Sequence, residues 1–595
     1  MTPEKKIKLI REQMAHFEID AYVVPASDPH ASEYLPEYYK TREWTSGFTG
    51  SAGTLVITKS RSGLWTDGRY YIQAEKELEG SGIELIKMGQ PGSPSMAMWL
   101  KAEFDTQCTI GFNGFQMMTS DAENLETQLK ALDIEPEFDH TANIIDKLWL
   151  DRPHRPCETV HIHDLKYAGE TATDKLNRVR EKVRQYGACC HMISKLDDIA
   201  WLLNLRGNDI LNNPYFMSYL FLKETGATLY VAPLKLNAET IDYLNQHDVE
   251  VKHYKDIIKD LEALDCDQAI LIDKTATAYH FHHLLDGKCK ILNHRNPSTE
   301  FKATKTATEL EHMKQCYKED GVAVVRFLHW LQSNIGQTPI DELEIDDIIT
   351  GFRKENPLYA GKSFDTIAAY KDHGAIMHYR ATPETVYAIK PEGLLLVDSG
   401  GQYQHGTTDI TRTVAVGPLS NQEKFDYTMT LKSMMALSRA IFLEGATGTH
   451  LDPIARQVMW SKSMDYKSGT GHGIGYFLGV HEGPQRISMH LSDVPLTPGM
   501  VVSNEPGVYR TGVSGVRLEN ILAVVPYTIN DFGTFLSFET LTLCPFDTSA
   551  VDATLLDETE KAQLNAYHQM VREHLTPLLE ADVAKWLEMA TEPLL

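Results

Sequence analysis

Four acidic side chains and one histidine between residues 398 and 519 restrict what this chain can fold into. Asp398 closes the apolar run Leu-Leu-Leu-Val, and Glu519 interrupts Val-Arg-Leu-Glu-Asn-Ile-Leu, where an unpaired acid is disfavoured. The others are Asp409, which begins Asp-Ile-Thr-Arg-Thr-Val, His472 in Gly-Thr-Gly-His-Gly, and Glu505 before Pro-Gly. Burying several carboxylates together is costly unless something compensates their charge. One bound cation, or two, is the usual compensation.

The strand pattern predicts how the two aspartates meet. Residues 394–398 are predicted as a strand, Gly400–Gly401 as a turn and residues 409–416 as the return strand. Residues on paired antiparallel strands can lie directly side by side. We therefore expect Asp398 and Asp409 to be neighbours.

A second strand pair is predicted for the two glutamates. Residues 500–505 and 515–522, joined through a glycine turn, would present Glu505 and Glu519 together. Two such hairpins on one curved sheet would assemble all four carboxylates. His472, flanked by glycines, can approach them from an adjoining segment.

The ligand types indicate the metal chemistry. Oxygen-rich ligation with one imidazole suits Mn²⁺, Fe²⁺, Co²⁺ or Zn²⁺. Four carboxylates and one imidazole exceed what one ion needs, so we expect two divalent ions. A two-metal site with ions about 3.5–4 Å apart can polarise a carbonyl and hold a hydroxide nucleophile. Any one of these acids alone would be better explained as a solvated surface residue; five such placements in one region favour the metal centre.

Three further residues could handle protons and substrate. His378 lies in the strand-like run Ala-Ile-Met-His-Tyr-Arg, and His481 follows His472 by nine residues. Arg517 precedes Glu519 by two residues and would share its face on a strand. A lone histidine is more often structural, but beside a dinuclear centre a catalytic role is favoured.

Length and composition exclude several classes of protein. The chain has 595 residues, which is too long for one hydrophobic core. Its formal net charge of −25 argues against a nucleic-acid-binding surface, where a basic footprint is expected. The N-terminus lacks the apolar core of a signal peptide, and no apolar segment reaches membrane-spanning length. We expect a cytoplasmic protein that binds neither nucleic acid nor membrane, with its cysteines reduced.

The order of predicted elements indicates three domains. Residues 1–152 and 153–304 each alternate helices with short apolar strands in a similar order, as in α/β domains. Two prolines near residue 153 mark a linker. Residues 305–595 form an α+β domain, with period-two strands between a long first helix and a helical end. That first helix is predicted for residues 308–333, with Thr308 as its cap and Glu311 three residues later.

These ligands, in this order, resemble the pita-bread metallopeptidases, a family that includes methionine aminopeptidase, prolidase and aminopeptidase P. The resemblance is close to the three-domain aminopeptidases P and covers essentially the whole chain. It implies two creatinase-like α/β domains followed by a pita-bread catalytic domain with a curved antiparallel sheet. Further motifs that carry it are Ser27-Asp-Pro-His-Ala-Ser-Glu-Tyr, Ser46-Gly-Phe-Thr-Gly-Ser-Ala-Gly-Thr, Leu64-Trp-Thr-Asp-Gly-Arg-Tyr, Ile199-Ala-Trp-Leu-Leu-Asn-Leu-Arg-Gly, Ser363-Phe-Asp-Thr-Ile-Ala and His378-Tyr-Arg-Ala-Thr.

The resemblance implies a role for each candidate ligand. Asp398 would chelate one metal, and Asp409 and Glu519 would bridge both. His472 and Glu505 would complete the shell of the second metal, with Glu505 also near the nucleophilic water. Manganese is the metal usually associated with this family, and Zn²⁺ or Co²⁺ is an alternative.

The resemblance also implies substrate contacts. His378 and His481 would bind the scissile region and stabilise the tetrahedral intermediate. Arg517 and Tyr509 would line the substrate side of the pocket. Homodimers are common in the family, and Arg69 of the first domain would reach a neighbouring active site.

Two positions depart from the family pattern. The catalytic loop of the family usually contains His-Gly-Thr-Gly-His-Gly, whereas Ser468 takes the place of the first histidine here. His405 stands where relatives often carry an aspartate shortly before the second aspartate ligand. All five candidate ligands are present, so we expect metal binding with a changed rate or substrate range.

The expected activity is that of an Xaa-Pro aminopeptidase, which releases the first residue from peptides with proline at the second position. A prolidase that cuts only dipeptides is a rival, although two large upstream domains and the long helical end argue against it. Creatine hydrolysis is a weaker rival. A catalytically impaired module that binds peptides is the alternative from another class, and retention of all five ligands argues against it.

Overall fold

A computed structural model describes residues 1–264 and 269–595 of the chain. The chain divides into two compact units, the first containing residues 1–165 and 170–299 and the second containing residues 166–169 and 300–595. Among the described residues, no helix is both long and apolar enough to cross a membrane.

Most of the described cysteines are free thiols, namely Cys108, Cys157, Cys189, Cys190, Cys316 and Cys544. Cys289 is disulfide-bonded, so the expectation of reduced cysteines is wrong at that residue.

The first half of the first unit is a six-stranded sheet with helices on both faces. Alternate residues of its first strand enter two separate cores, Tyr22 and Val24 in one and Ala21 and Val23 in the other. The elements are α1 Pro3–His16, β1 Ala21–Pro25, α2 Thr41–Ser46, β2 Thr54–Thr58, β3 Ser62–Thr66, α3 Tyr71–Glu77, β4 Glu84–Lys87, α4 Met96–Lys101, β5 Gln107–Phe112, α5 Thr119–Lys130, β6 Glu135–Asp139 and α6 Ile144–Leu148. The strand order is β4-β3-β2-β1-β5-β6.

The second half of the first unit repeats this topology. Its elements are β7 His161–Ile162, α7 Leu165–Ala168, α8 Ala172–Gln185, β8 Cys190–Ile193, α9 Leu196–Leu203, β9 Leu205–Arg206, β10 Ser218–Leu222, β11 Ala227–Val231, α10 Ala238–Gln246, β12 Val249–His253, α11 Asp256–Glu262, β13 Ala269–Ile272, α12 Tyr279–Leu285, β14 Lys290–Asn293 and α13 Pro297–Ala303. Residues 166–168 of α7 and 300–303 of α13 belong to the second unit. The order β12-β11-β10-β8-β13-β14 has the same sequence of antiparallel and parallel pairs as the first sheet. The predicted similarity of the two α/β halves is confirmed at the level of strand order and direction.

The second unit contains the long helix α14 Ala307–Asn334, whose cap, Thr306, lies two residues before the predicted one. Thr306 Oγ1 accepts a hydrogen bond from the Glu309 N–H at 3.2 Å, and the Glu309 carboxylate accepts from the Thr306 N–H at 2.9 Å. The assignment of Thr308 as cap is therefore wrong. The sequence contains two overlapping Thr-x-x-Glu frames, and both match the capping-box signature.

The remainder of the second unit is built on antiparallel sheets. The elements are α15 Glu342–Arg353, β15 Tyr359–Lys362, β16 Ile367–Tyr370, β17 Leu394–Ser399, β18 Gly401–Tyr403, β19 Gly406–Thr407, β20 Ile410–Ala415, α16 Asn421–Ser438, β21 Phe442–Leu443, α17 Gly448–Trp460, β22 Gly471–Gly473, β23 Glu482–Ile487, β24 Val501–Asn504, β25 Gly507–Arg510, β26 Ser514–Arg517, β27 Asn520–Asn530, β28 Gly533–Thr540, α18 Glu558–Leu575 and α19 Ala581–Ala590. The largest sheet has the order β21-β28-β27-β24-β22-β23, and β16-β17-β20 form a three-stranded sheet.

The central strands of the largest sheet are covered on both faces. Val501 and Ile521 pack in a core with α14, whereas Val502 and Leu522 pack in a core with α16 and α17. Period-two alternation on both strands explains why neighbouring residues enter opposite cores. This double burial fixes the ends of β24 and β27, where two of the candidate ligands lie.

Candidate metal centre

The two aspartates lie at the same end of a strand pair. β17 and β20 pair antiparallel, with Asp398 opposite Thr411, and Asp409 immediately precedes β20. The predicted pairing of the two strands is confirmed, and Thr411 rather than Asp409 stands directly opposite Asp398. The predicted turn at Gly400–Gly401 is wrong, because Gly401 begins β18, which pairs with β15 and β19.

The two glutamates occupy breaks between strands. β24 pairs with β27, with Asn504 opposite Asn520, and β25 pairs separately with β26. Glu505 lies in the break between β24 and β25, and Glu519 lies in the break between β26 and β27. The predicted second strand pair therefore forms as two short ladders rather than one, with both carboxylates at the junction.

His472 brings the imidazole into this cluster. Its Nε2 lies 3.2 Å from Glu505 Oε1 and 3.6 Å from Asp409 Oδ2. Its Nδ1 lies 2.9 Å from the Gly473 carbonyl oxygen, which fixes the ring orientation. Asp409, His472 and Glu519 each offer a ligand atom within 4.8 Å of the others, close enough for a shared metal ion.

The crowding of carboxylates shifts their pKa values. Burial, followed by the negative charges of Asp398 and Glu505, raises the pKa of Asp409 well above its ordinary value. Burial and the charge of Asp409 likewise raise the pKa of Glu519. Burial also acts to raise the pKa of Glu505, but the hydrogen bond and charge of His472 outweigh it and lower that pKa to about 2. Such a cluster lacks positive charge at its centre.

Two carboxylate oxygens of the cluster indicate where a cation would bind. Asp398 Oδ1 and Glu519 Oε1 are buried and have no hydrogen-bond partner among residues 1–264 and 269–595. A buried polar atom without a partner is costly, and a cation would satisfy both. Four carboxylates with one imidazole are also a suitable donor set for first-row divalent ions. The residues present therefore fit a metal centre.

Arg517 holds the other oxygen of Asp398. Its guanidinium is almost completely buried and donates to Asp398 Oδ2 at 2.6 Å. It also donates to the hydroxyls of Tyr509 at 2.9 Å and Thr411 at 3.1 Å, and to the Met377 carbonyl at 3.4 Å. These four contacts orient Asp398 so that its Oδ1 alone remains available to a cation.

The two candidate catalytic histidines differ in their surroundings. His481 is exposed, and its ring stands edge-on to that of His472 with 4.3 Å between centroids. His378 is half-buried in a turn after the 3₁₀ helix Lys371–Ala375, so the prediction of a strand there is wrong. The carbonyl of the preceding residue, Met377, accepts from the buried guanidinium described above. This contact places the turn beside the carboxylate cluster.

The two departures from the family pattern have different environments. Ser468 Oγ is shielded from solvent and, in the described part of the chain, has no hydrogen-bond partner. Its carbonyl oxygen accepts from Arg456 Nη2 at 2.7 Å, which fixes the backbone there. His405 is buried with Nε2 3.2 Å from Glu319 Oε2, so its imidazole is directed at α14.

Arg69 lies in the first unit. Its guanidinium makes a two-point contact with Asp67, with Nε 2.9 Å from Oδ1 and Nη2 2.8 Å from Oδ2. The predicted reach of Arg69 into a neighbouring active site stays a prediction.

Sequence reasoning missed two hydroxyls that hold the candidate ligands. Thr411 Oγ1 donates to Glu519 Oε2 at 3.0 Å. Ser503 Oγ donates to Glu505 Oε1 at 3.0 Å and accepts from the His472 N–H at 3.0 Å. Each hydroxyl lies two residues from a candidate acid in a strand-like segment, so period-two alternation was the signal that could have identified it.

A curved antiparallel sheet whose strand ends gather four carboxylates and an imidazole defines the class of metal-dependent hydrolases. The sequence model of metallopeptidase family M24 matches residues 311–526, and that of the C-terminal region of peptidase M24 matches residues 534–594. Two models of the Creatinase/Prolidase N-terminal domain match residues 6–148 and 151–309.

Relatives match the chain over nearly its full length. Aminopeptidase P2 of Arabidopsis thaliana is 38% identical, covering 97% of this chain and 86% of that protein. A probable Xaa-Pro aminopeptidase P of Laccaria bicolor is 38% identical over 100% of this chain and 94% of that protein. The chain belongs to the M24 metallopeptidase family, and the fold predicted from the resemblance is confirmed.

Solved structures agree with this assignment. The X-prolyl aminopeptidase of Caenorhabditis elegans, described as a cytosolic enzyme with a di-nuclear active site, matches with a TM-score of 0.94 and 32% identity across 100% of both chains. A prolidase from Pyrococcus horikoshii matches with a TM-score of 0.50 and 23% identity over 63% of this chain and 99% of its own. The prolidase likeness shows the shared fold.

Proposed function

We propose that this protein is an Xaa-Pro aminopeptidase that hydrolyses the bond between an N-terminal residue and a following proline. The observation that carries the proposal is the end-to-end match to the C. elegans X-prolyl aminopeptidase, combined with a complete set of five candidate ligands. An X-Pro bond is a tertiary amide without an N–H and has restricted geometry. Aminopeptidases that recognise that N–H are poorly matched to it.

The residues of the chain divide the chemistry among them. Asp398 would bind one ion, Asp409 and Glu519 would bridge two, and His472 and Glu505 would complete the second site. When bound, two divalent ions polarise a carbonyl and lower the pKa of a water molecule. Glu505, held by the Ser503 hydroxyl, would accept the proton of that water. We propose Mn²⁺ as the native ion, with Zn²⁺ and Co²⁺ as alternatives for metal analysis to distinguish.

The remaining site residues would act on the substrate. His378 and His481 would hydrogen-bond to the scissile region and stabilise the negative charge that develops on its oxygen. Tyr509 would line the pocket, and Arg517 would act mainly through Asp398, because its guanidinium is buried against that carboxylate. Removing a positioned donor of this kind is expected to affect the rate more than binding.

The substrate requirement is tested with peptides. We expect cleavage of an X-Pro-Y tripeptide and little cleavage of X-Ala-Y. N-acetylation of X-Pro-Y should abolish turnover, because it removes the positive charge that an acidic site can hold. The assay compares initial rates on X-Pro, X-Pro-Y, acetyl-X-Pro-Y and X-Ala-Y with metal-loaded enzyme. Preference for X-Ala-Y, or equal rates on free and acetylated peptides, would refute the assignment, and a rate confined to X-Pro would favour the prolidase rival.

Ser468 provides a test of rate. Family members carry a histidine there, and an imidazole with a reference pKa of about 6.5 can donate a hydrogen bond or shuttle a proton near neutrality. A serine hydroxyl can donate but does not readily carry positive charge. We expect Ser468→His to raise kcat/KM on X-Pro-Y and to steepen its dependence on pH between about 6 and 9. An unchanged or lower kcat/KM with intact metal content would show that this position does not limit the rate.

Several broader features are also part of the proposal. We place the domain boundaries at 1–152, 153–304 and 305–595; the two similar sheets and the separate family matches support this division. A homodimer and a cytoplasmic location are proposed as well; for the latter, the support is the description of the C. elegans enzyme as cytosolic. Size-exclusion chromatography with light scattering measures the oligomeric state, and fractionation of cells measures the location.

A further inference from the structure

A buried ion cluster lies directly beside the segment that carries His481. Glu482 is 4% exposed, and Lys302 and Lys305 are 2% and 5% exposed. Lys305 Nζ donates to Glu482 Oε1 at 2.5 Å, and Lys302 Nζ lies 3.8 Å from Glu482 Oε2. Charges buried in this way stabilise a fold little more than apolar residues of the same volume would. The presence of this cluster is therefore better explained by the backbone geometry that its contacts hold than by a gain in stability.

Lys305 connects the two strands that flank His472. Its backbone N–H donates to the Gly499 carbonyl at 2.9 Å, just before β24. Its ammonium group reaches Glu482, the first residue of β23. In the sheet order, β22 with His472 lies between β24 and β23. A single residue thus links the neighbours on both sides of the histidine strand.

The ladder between β22 and β23 is irregular beside the two histidines. The register of β22 against β23 shifts between His472 and Gly473, and Gly473 pairs with Glu482. The contact there is close, because a Cβ on Gly473 would lie 2.0 Å from the Glu482 carbonyl oxygen. His481 immediately precedes Glu482. The Glu482 side chain, which Lys305 anchors, is thus adjacent in the chain to His481, and its backbone pairs with the residue that follows His472.

The loop between the two histidines is strained and anchored. Phe477 has a φ of +47°, a left-handed conformation that is unfavourable for a bulky side chain. The carbonyl of the next residue, Leu478, accepts from Gln402 Nε2 at 2.6 Å, which holds the middle of the loop. Strain of this kind persists only where the surroundings hold it in place. Glu482, at the end of the loop nearest His481, is held by its contact with Lys305.

We propose that Lys305 is a positioning residue for peptide hydrolysis, which acts through Glu482 to hold His481 against the metal centre. The inference rests on the proposed role of His481. Lys305 does not touch substrate or metal ligands in this scheme. Its effect is on the distance and orientation of the imidazole, and catalysis is sensitive to both.

Two buried lysines of the same cluster allow a matched comparison. Lys305→Met should lower kcat about 10- to 100-fold, because a misplacement of about 1 Å can reduce rates by this amount, with KM and metal content near wild type. Lys302 remains to balance the charge of Glu482, so the variant should fold. Lys302→Met removes an equally buried ammonium but leaves the contact between β23 and β24, and kcat should stay near wild type. Equal losses of kcat in the two variants, with equal shifts in Tm, would overturn the proposal.

A double-mutant cycle separates the inference from the role of His481. In a His481→Ala background, Lys305→Met should cause no further loss of kcat, because the side chain that it positions is absent. A full additional loss in the double variant would overturn the positioning role of Lys305 and leave the role of His481 standing. Full activity of His481→Ala alone would instead overturn the proposed role of His481, and with it the basis of this inference.

Discussion

Asp409→Asn should abolish hydrolysis of X-Pro-Y peptides and reduce the metal content of both sites. Asp409 is one of the two carboxylates proposed to bridge the ions, and its ligand atom lies within 4.8 Å of those of His472 and Glu519. Loss of a metal-activated nucleophile removes several kcal/mol of transition-state stabilisation, so the rate should fall by a factor on the order of 10³ or more. Inductively coupled plasma mass spectrometry and initial rates on one tripeptide measure the two effects. Glu519→Gln should behave in the same way.

The thermal stability of the metal-free protein provides an independent check. Burial and neighbouring carboxylates raise the pKa of Asp409 in the folded state, so its ionised form destabilises the fold at neutral pH when no cation is bound. This cost is absent below the ordinary pKa of the carboxyl, grows as the pH rises above it, and is complete above the folded-state pKa. Metal-free Asp409→Asn should therefore have a higher Tm than metal-free wild type at pH 7, and the order should reverse when metal is added.

A matched exposed acid serves as the control for these experiments. Asp531 lies in the exposed turn between β27 and β28, and Asp531→Asn should leave the rate, the metal content and both Tm values unchanged. A fully active Asp409→Asn variant with two bound ions would contradict the bridging role. Loss of one ion with retained activity would show that a single metal suffices.

The sequence was most informative where burial and chemistry conflict. An acid at the end of an apolar strand, such as Asp398, is improbable without a compensating charge, so a metal centre was predictable from one chain. The hairpin pattern predicted the pairing of the strands that carry Asp398 and Asp409, and β17 and β20 pair in that way, with Thr411 opposite Asp398. The resemblance to a known family then implied which carboxylates bridge, which residue patterns alone do not determine.

The sequence was least informative about contacts between distant segments. The ion pair between the Arg517 guanidinium and Asp398, more than a hundred residues earlier in the chain, was not predicted. Local patterns describe neighbours in sequence, and such a contact depends on how β17 and β26 meet. The helix cap shows the same limit at short range, because Thr306 and Thr308 satisfy one signature equally well and the helix is capped by the first.

His481→Ala and His378→Ala should each lower kcat by about 10²–10³, the usual effect of losing one transition-state donor, with metal content near wild type. Neither imidazole is among the atoms that cluster for a shared ion, whereas His472 is. His481 nevertheless stands 4.3 Å from the His472 ring, close enough to reach a peptide bound at the centre. His574→Ala, on the exposed face of α18, is the matched control and should retain full activity.

The comparison of KM with kcat decides between the roles open to these histidines. A donor to the developing oxyanion acts in the transition state, so its removal lowers kcat and kcat/KM equally and leaves KM unchanged. A residue that only binds the peptide would raise KM at constant kcat. Loss of metal from His481→Ala would place that imidazole among the ligands instead, and it would mean that the centre uses six protein groups. Retained kcat in both variants would show that Glu505 and the bound ions suffice for proton transfer and charge stabilisation.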